Sequence, residues 1–359
     1  MKVLQVINNF GRGGAPRLVK DILVNLKSKG YDIDALVLSS KVDVFSVDLK
    51  RKGIAIYQAS LHRYDFRVLL WLKDNLMKYD IVHVHLFPSF YWVGLAAYLF
   101  SFKGKLVFTE HNTYNSRRQY SWFKHIDQWF YQAYDFIVCI NEPVKESLAQ
   151  WLPKKSDNLL VIENGIDLDR FAFAEPTDIS KIARKSIHEN ILVLMVALFE
   201  PRKDQKTLVY SMQYLPEKFH LLLVGSGSQV NKVKKVVKEC NLSDRVHFLG
   251  FQKDIPGIMK ACDVYVQSSN WEGFGLVAVE AMASGLPVVC SNVKGLSDIV
   301  ANAGLTFSSR SPIDLAQKIG EAYSKREVLS KRAREQSVKF SSETFIGKHI
   351  SLYESLCKK

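Results

Sequence analysis

Cysteine is scarce in this chain. Five residues (Cys139, Cys240, Cys262, Cys290, Cys357) are scattered over 359 positions, and no two form a C-x-x-C pair. An odd, dispersed set argues against a disulfide framework and a cysteine-based metal site, and fits a reducing compartment. Charge is absent from one stretch. Residues 81–102, IVHVHLFPSFYWVGLAAYLFSF, contain no Lys, Arg, Asp or Glu. Two histidines and Pro88 interrupt it, so a buried strand followed by a short helix is expected rather than a spanning helix. A basic tail, a fixed-period repeat and a low-complexity tract are all missing, and the opening MKVLQVINNF reads as a strand and loop rather than a signal peptide. A cytoplasmic location is the expectation.

What is present is ordinary globular composition, 47% apolar and 24% charged, with a net charge of +13. The excess is spread evenly: 22 basic against 15 acidic residues in 1–165, and 27 against 21 in 166–359. Neither half is a dedicated basic module, which argues against a nucleic-acid partner. Anionic lipid or a phosphorylated ligand remains.

Short apolar runs at Val3–Ile7, Ile33–Leu38, Ile81–His85, Lys105–Thr109 and Phe136–Ile140 alternate with helical patterns such as Arg17–Lys29. Continuous apolar strands leading through loops into helices are the mark of a parallel sheet. The pattern pauses over NGIDLDRFAFAEPTDISKIARKS and restarts at Ile191–Leu198, followed by His220–Gly225, Arg245–Gly250, Asp263–Ser269 and Leu286–Ser291. Two α/β domains with doubly wound, Rossmann-like sheets facing a cleft are therefore expected, over 1–165 and 166–341. A closing amphipathic helix over 342–357 is expected to join the first. Ligands of such sheets bind at the carboxyl ends of the strands.

The densest chemistry lies in SSNWEGFGLVAVEAMASGLPVV, residues 268–289. A helix starting near Gly275 and ending at Gly285 puts Glu272 just before it and Glu280 on it, roughly 12 Å apart along the axis. Glycines beside a helix start let a phosphate approach backbone N–H groups. Carboxylates on either side suit the hydroxyls of a nucleotide-sugar. The alternative at each site is a surface glutamate.

This segment closely resembles the signature of family 4 retaining glycosyltransferases, which have the GT-B fold. NNFGRGGAPRLVKDILVNL, DIVHVH, FTEHN, VIENGIDLDRF, LLLVGSGSQ and RVHFLGFQKDI extend the resemblance over most of the chain in the family's order. It implies that Glu272 contacts the donor hexose, that Glu280 holds the ribose, and that Phe274, Gly275 and Leu276 offer backbone amides. It also implies that Gly13 and Gly14 leave room for the leaving group or acceptor, and that the loop at Phe251 holds the base through main-chain groups. In VALFEPRKD, Lys203 falls on the family's lysine and Leu198 where an arginine is usual. Lys203, helped by Arg202, would then face the diphosphate, unless it is an ordinary solvated charge. His111 falls on the family's active-site histidine, with a structural loop histidine as the alternative.

A dinucleotide reading of GRGGAP or GSGSQV is weak, because the second strand ends in Ser39-Ser40 without an acid for the ribose. His83 and His85 share one face of a strand but have no evident third ligand, so they read as packing and lining. DLD (Asp167–Asp169) belongs to the crossover, so no D-x-D stands near a strand end. No metal and no cofactor are expected. SRRQYSWFKHIDQWFYQAY carries Trp122, Phe123, Ile126, Trp129 and Phe130 on one stripe beside Arg117, Arg118 and Lys124. That is a core-facing helix with a basic rim or a contact with a membrane surface.

The resemblance thus implies a metal-independent hexosyltransferase, with retention, from a nucleotide-sugar donor, a UDP-sugar foremost. The acceptor would be a glycan or lipid-linked acceptor of polysaccharide or cell-envelope synthesis, met at the inner face of the membrane. The alternatives are a catalytically silent nucleotide-sugar-binding partner subunit and another GT-B enzyme such as an epimerase.

Overall fold

The computed structural model describes residues 1–11, 13–39, 45–59, 62, 64–113, 116–152, 157–183 and 189–358. The chain divides into two compact units, Met1–Gly165 with Ser342–Lys359, and Ile166–Ser341.

Among the described residues, the first unit holds strands β1 (Lys2–Ile7), β2 (Asp32–Val37), β3 (Ile56–Gln58), β4 (Ile81–His85), β5 (Lys105–Glu110), β6 (Phe136–Cys139) and β7 (Leu159–Val161). They form one parallel sheet in the order β3-β2-β1-β4-β5-β6-β7. The charge-free stretch 81–102 is β4 followed by the helix Ser89–Leu99, and among the described residues no helix is long and apolar enough to cross a membrane. The helix Gly14–Ser28 buries Leu18, Val19, Ile22, Leu23 and Leu26, the stripe its 3.6-residue period dictates. It starts three residues before the expected Arg17, because the first turn's amides need no intrahelical acceptor and so accommodate Pro16. The closing helix Ser342–Cys357 packs against it and buries Phe345, Ile346, His349, Leu352 and Tyr353. Burying each such apolar side chain contributes about 2 kcal/mol.

The second unit holds β8 (Ile191–Val196), β9 (Phe219–Val224), β10 (Val246–Gly250), β11 (Val264–Gln267), β12 (Val288–Ser291) and β13 (Leu305–Phe307). All pair in parallel, in the order β10-β9-β8-β11-β12-β13. Val193, Leu221, Val264 and Val266 of its strands pack with Leu208, Leu315 and Ile319 of its helices in one core. The polar stretch after Gly165 contains two short helices, Leu168–Ala172 and Ile179–Ala183, and its residues 184–186 lie outside the described ones.

The alternating pattern is that of these two sheets. Three strands it does not include, β3, β7 and β13, are each three residues long and lie at sheet edges. An edge strand has one neighbour, so a short run such as IYQ or LTF suffices and leaves no period to read.

Candidate active site

In the second unit the strand order reverses between β8 and β11, so the chain leaves these neighbours in opposite directions. The carboxyl ends of such a pair open the crevice where ligands of doubly wound sheets bind. The chain leaving β8 makes one 3-10 turn, Pro201–Lys203, and enters the helix Gln205–Ser211. Four hydrogen bonds fix this turn. Ser268 Oγ donates to the carbonyls of Lys203 and Asp204 at 3.1 and 3.0 Å, Asn270 N donates to Arg202 O at 2.7 Å, and Gln205 Nε2 donates to Leu198 O at 3.0 Å. The loop after β9 braces it from the other side. A Cβ on Gly227 (φ 152°) would stand 2.5 Å from Phe199 O, so this glycine serves close approach of two backbones.

Lys203 is thereby aimed at Glu272. Its ammonium donates to Glu272 Oε1, which also accepts from Gln267 Nε2 and Ser269 Oγ at 2.7 Å each. Arg202 Nη1 lies 4.0 Å from Glu272 Oε2 while its Nε donates to Glu200 at 2.8 Å. Glu272 is 5% exposed and Glu280 3%, so neither is a surface glutamate. Buried carboxylates persist only where partners offset desolvation. Burial pushes the Glu272 carboxyl up, but the Lys203 charge, with hydrogen bonds from Lys203 and Ser269, outweighs it and holds the group below the usual carboxylate range. Glu272 is therefore an anion at neutral pH. Lys203 is not a solvated surface charge either.

Just beyond Glu272 the helix Leu276–Ser284 begins. Gly275 stands at its N-cap with φ 95°, and no side chain caps it. A Cβ there would meet Leu296 Cδ1 at 2.7 Å, so glycine is required by backbone and space together. The uncapped start carries the positive end of the helix dipole. Phe274 is buried edge-on against Phe340. Phe251, after β10, is 52% exposed, while Leu198 is half-buried beside the turn.

Gly13, Gly14 and His111 belong to the first unit. Gly13 precedes the helix Gly14–Ser28, and a Cβ on it would touch nothing nearer than Pro16 Cδ at 3.7 Å. The chain itself does not demand a glycine there. His111 follows β5, partly buried, with Nε2 3.3 Å from His85 Nδ1. Burial, and after it the nearby His349, pulls its pKa down to about 4. His83 and His85 are buried and engaged in hydrogen bonds, and among the described residues no group of three His, Cys, Asp or Glu side chains is placed to hold a metal ion.

The aromatic stripe over 122–130 is split: Phe123 and Phe130 are half-buried, Phe130 against Phe90 and Tyr91, while the other three members face outward. Trp122 is 59% and Trp129 45% exposed, and Ile126 is exposed with them. The buried side of this helix, Phe123–Gln132, is Asp127 and Tyr131 instead. Asp127 accepts from Tyr91 OH at 2.7 Å and Trp151 Nε1 at 3.0 Å, and Tyr131 donates to Glu110 at 2.9 Å. A buried polar network thus overrides the apolar period. Sequence reasoning also passed over Gln267 and Ser269, which hold Glu272. The available signal was a polar residue closing the otherwise apolar strand VYVQ at the reversal point.

Comparison with known proteins gives a consistent result. Residues 178–339 match the family model for glycosyl transferases group 1, and residues 12–170 that for glycosyltransferase family 4. The chain is 30% identical over 251 residues to the UDP-Gal:alpha-D-GlcNAc-diphosphoundecaprenol alpha-1,3-galactosyltransferase of Escherichia coli, covering 66% of this chain. The match spans 65% of that relative's length. An O-antigen biosynthesis glycosyltransferase of Escherichia coli, WclY, is 23% identical over 100% of this chain and 99% of its own. The crystal structure of Anabaena HepE in complex with UDP and glucose superposes with a TM-score of 0.88 at 21% identity, covering 99% of this chain and 100% of that one.

Proposed function

This chain belongs to glycosyltransferase family 4 and has the GT-B fold, and on that premise we propose that it is an active transferase that moves a hexose from a UDP-sugar to a glycan or lipid-linked acceptor. The observation that carries this reading is the Glu272 carboxylate, buried at the reversal point of the second sheet, paired with Lys203 and followed by an uncapped helix start. That arrangement supplies a hydroxyl acceptor for a sugar and two positive elements for a diphosphate at the ends of two neighbouring strands. Glu280 is proposed to hold the ribose, and the main chain of Phe251 the base. A UDP donor is supported by two relatives, one named for UDP-Gal and one solved with UDP and glucose.

In this reading the departing diphosphate is stabilised by Lys203, by the amides at Gly275 and Leu276, and by Arg202. Arg202 shares Glu272 with Lys203 and stands in for the arginine that Leu198 replaces. A lipid-linked acceptor is supported by the diphosphoundecaprenol in one relative's name and by the outward aromatic face at Trp122, Ile126 and Trp129 beside Lys124. Trp122→Ser with Trp129→Ser is expected to weaken sedimentation with phosphatidylglycerol vesicles while leaving the fold unchanged.

Leu198 favours one second reading, a silent partner subunit that binds donor without turning it over. Purified protein incubated with UDP-glucose, UDP-galactose and UDP-N-acetylglucosamine separates the two. UDP release with at least one donor supports the enzyme. Thermal stabilisation by a donor without release, with or without undecaprenyl-diphosphate sugars, would overturn it.

A further inference from the structure

The first unit contains a single file of hydrogen bonds that runs from Thr109 through Tyr353 of the closing helix to His111. Tyr353 OH lies 2.5 Å from His83 Nδ1, and His83 Nε2 lies 2.7 Å from Thr109 Oγ1. Gln5 Nε2 donates to Tyr353 OH at 2.9 Å, and Gln5 Oε1 lies 2.8 Å from His85 Nε2. His85 Nδ1 lies 3.3 Å from His111 Nε2. Gln5, His83 and Tyr353 are fully buried, and His85 nearly so.

Burial, reinforced by the neighbouring histidines, drives His83 and His85 well below the usual histidine range, so both rings are neutral. A neutral imidazole has one donor and one acceptor nitrogen. Each link of the chain therefore fixes the next, and the orientation of one amide sets the direction of all of them. Gln5 Oε1 can only accept, so His85 carries its proton on Nε2 and presents a bare Nδ1. That nitrogen needs a donor, and His111 Nε2–H is the one facing it. In the other direction Gln5 Nε2 donates to Tyr353, whose hydroxyl proton goes to His83 Nδ1, and His83 Nε2–H donates to Thr109. His349 stands apart from this file, with Nδ1 donating to Phe345 O at 2.9 Å.

We propose that Gln5 is a positioning residue: through His85 it holds His111 in the Nε2–H tautomer, with the Nδ1 lone pair presented as an acceptor. Tyr353 of the closing helix anchors the amide and so couples that helix to His111. The consequence for chemistry rests on the reading of His111 as a group bordering the transferred sugar. A neutral ring with an open lone pair can meet developing positive charge or an acceptor hydroxyl, whereas the opposite tautomer would turn an N–H toward them.

The test is the nitrogen NMR spectrum of the full-length protein with 15N-labelled histidine, assigned through single His→Asn variants at pH 7.5. His83, His85 and His111 are expected to be Nε2–H, and His349 Nδ1–H. Gln5→Leu removes both the donor and the acceptor, so His111 should shift toward a tautomer mixture. Gln5→Glu keeps an oxygen for His85 whether it is ionised or protonated, so His111 should keep its wild-type shifts. An Nδ1–H His111 in the wild type, or unchanged His111 shifts in Gln5→Leu, would overturn the proposal. If Gln5→Leu does not fold, the wild-type assignment alone decides. A loss of the tautomer in Gln5→Leu with undiminished UDP release from UDP-galactose would instead overturn the role of His111 and leave the hydrogen-bond chain standing.

Discussion

Lys203 and Glu272 leave the two neighbouring strands at which the second sheet reverses, and meet as a buried ion pair. Removing one partner of such a pair leaves an uncompensated buried charge, at a cost of about 3–5 kcal/mol. Lys203→Ala is thus expected to lower the melting temperature and to cut turnover by about 10²-fold or more, the usual cost of one preorganised electrostatic partner. Lys203→Met with Glu272→Gln removes both charges. It should recover most of the stability and none of the activity. Calorimetry with a UDP-release assay checks both, and recovered activity in the double variant would exclude Lys203 from leaving-group stabilisation.

Glu280 is buried in the helix Leu276–Ser284, eight residues after Glu272, and the ribose assignment gives it a ground-state role. A hydrogen bond to a charged group contributes about 1.5–3 kcal/mol, so Glu280→Ala should weaken UDP binding by roughly 10- to 100-fold. Turnover at saturating donor should change far less than in Lys203→Ala. Equal, small effects from both variants in titration calorimetry would mean that the nucleotide sits elsewhere.

The sequence carried the architecture because buried parallel strands must be continuous apolar runs, and ten of them were plain in the pattern. It also singled out Glu272 and Glu280, since acids among glycines and alanines break composition, and both are buried. It could not show that Lys203 and Glu272 touch, because their 69-residue separation is closed by the neighbouring of β8 and β11. The same holds for Gln5 and Tyr353, 348 positions apart, which meet because the last helix returns to the first unit. The stripe at Trp122 misled for a different reason. Period reports which residues share a face, and only Asp127 with its partners decides which face is inside.

Metal dependence follows from what balances the diphosphate. With Lys203, Arg202 and the helix start proposed as the positive elements, UDP release or sugar transfer is expected to survive excess EDTA within about a factor of two. Complete loss of activity restored by manganese or magnesium would transfer the balancing role from these residues to an ion.

Acid should loosen the first unit before the second. His111 and His349 are each pulled down to about 4 by burial, and burial also drives His83 and His85 well below the usual histidine range. A histidine depressed in the folded state contributes stability that is complete above the unfolded value near 6.5 and is lost as pH falls from there toward 4. A tenfold difference in proton affinity between the folded and unfolded chain corresponds to about 1.4 kcal/mol. Glu110 and Asp127, raised by burial, run the other way in the same unit, so the effect is best read locally. Glu272, held low in the second unit, gives up its contribution only below the ordinary carboxylate range. Hydrogen-exchange protection factors, corrected for the intrinsic rate at each pH, should therefore fall in the helix Ser342–Cys357 between pH 6.5 and 4.5, while the helix Leu276–Ser284 stays protected. Simultaneous loss of both would show that the histidine cluster does not set the acid limit.

The last expectation concerns His111 and the stereochemistry of transfer. Retention through a covalent intermediate needs two carboxylates about 5 Å apart, one of them a nucleophile. Glu272 and Glu280 are poor candidates for that pair. Glu272 accepts from Lys203, Gln267 and Ser269 on one oxygen, and Glu280 lies about one turn into the helix that follows it. If transfer proceeds with retention, same-face attack is therefore expected, with the departing phosphate helping to take the acceptor's proton. A neutral His111 then steadies positive charge that exists only in the transition state. His111→Ala should accordingly lower turnover by about 10²-fold while leaving donor affinity within a few-fold, the pattern of an interaction made only at the transition state. Titration calorimetry with UDP-galactose against its UDP-release rate measures the two separately. Full turnover in His111→Ala, or a sugar trapped on either glutamate in mass spectra, would overturn this mechanism.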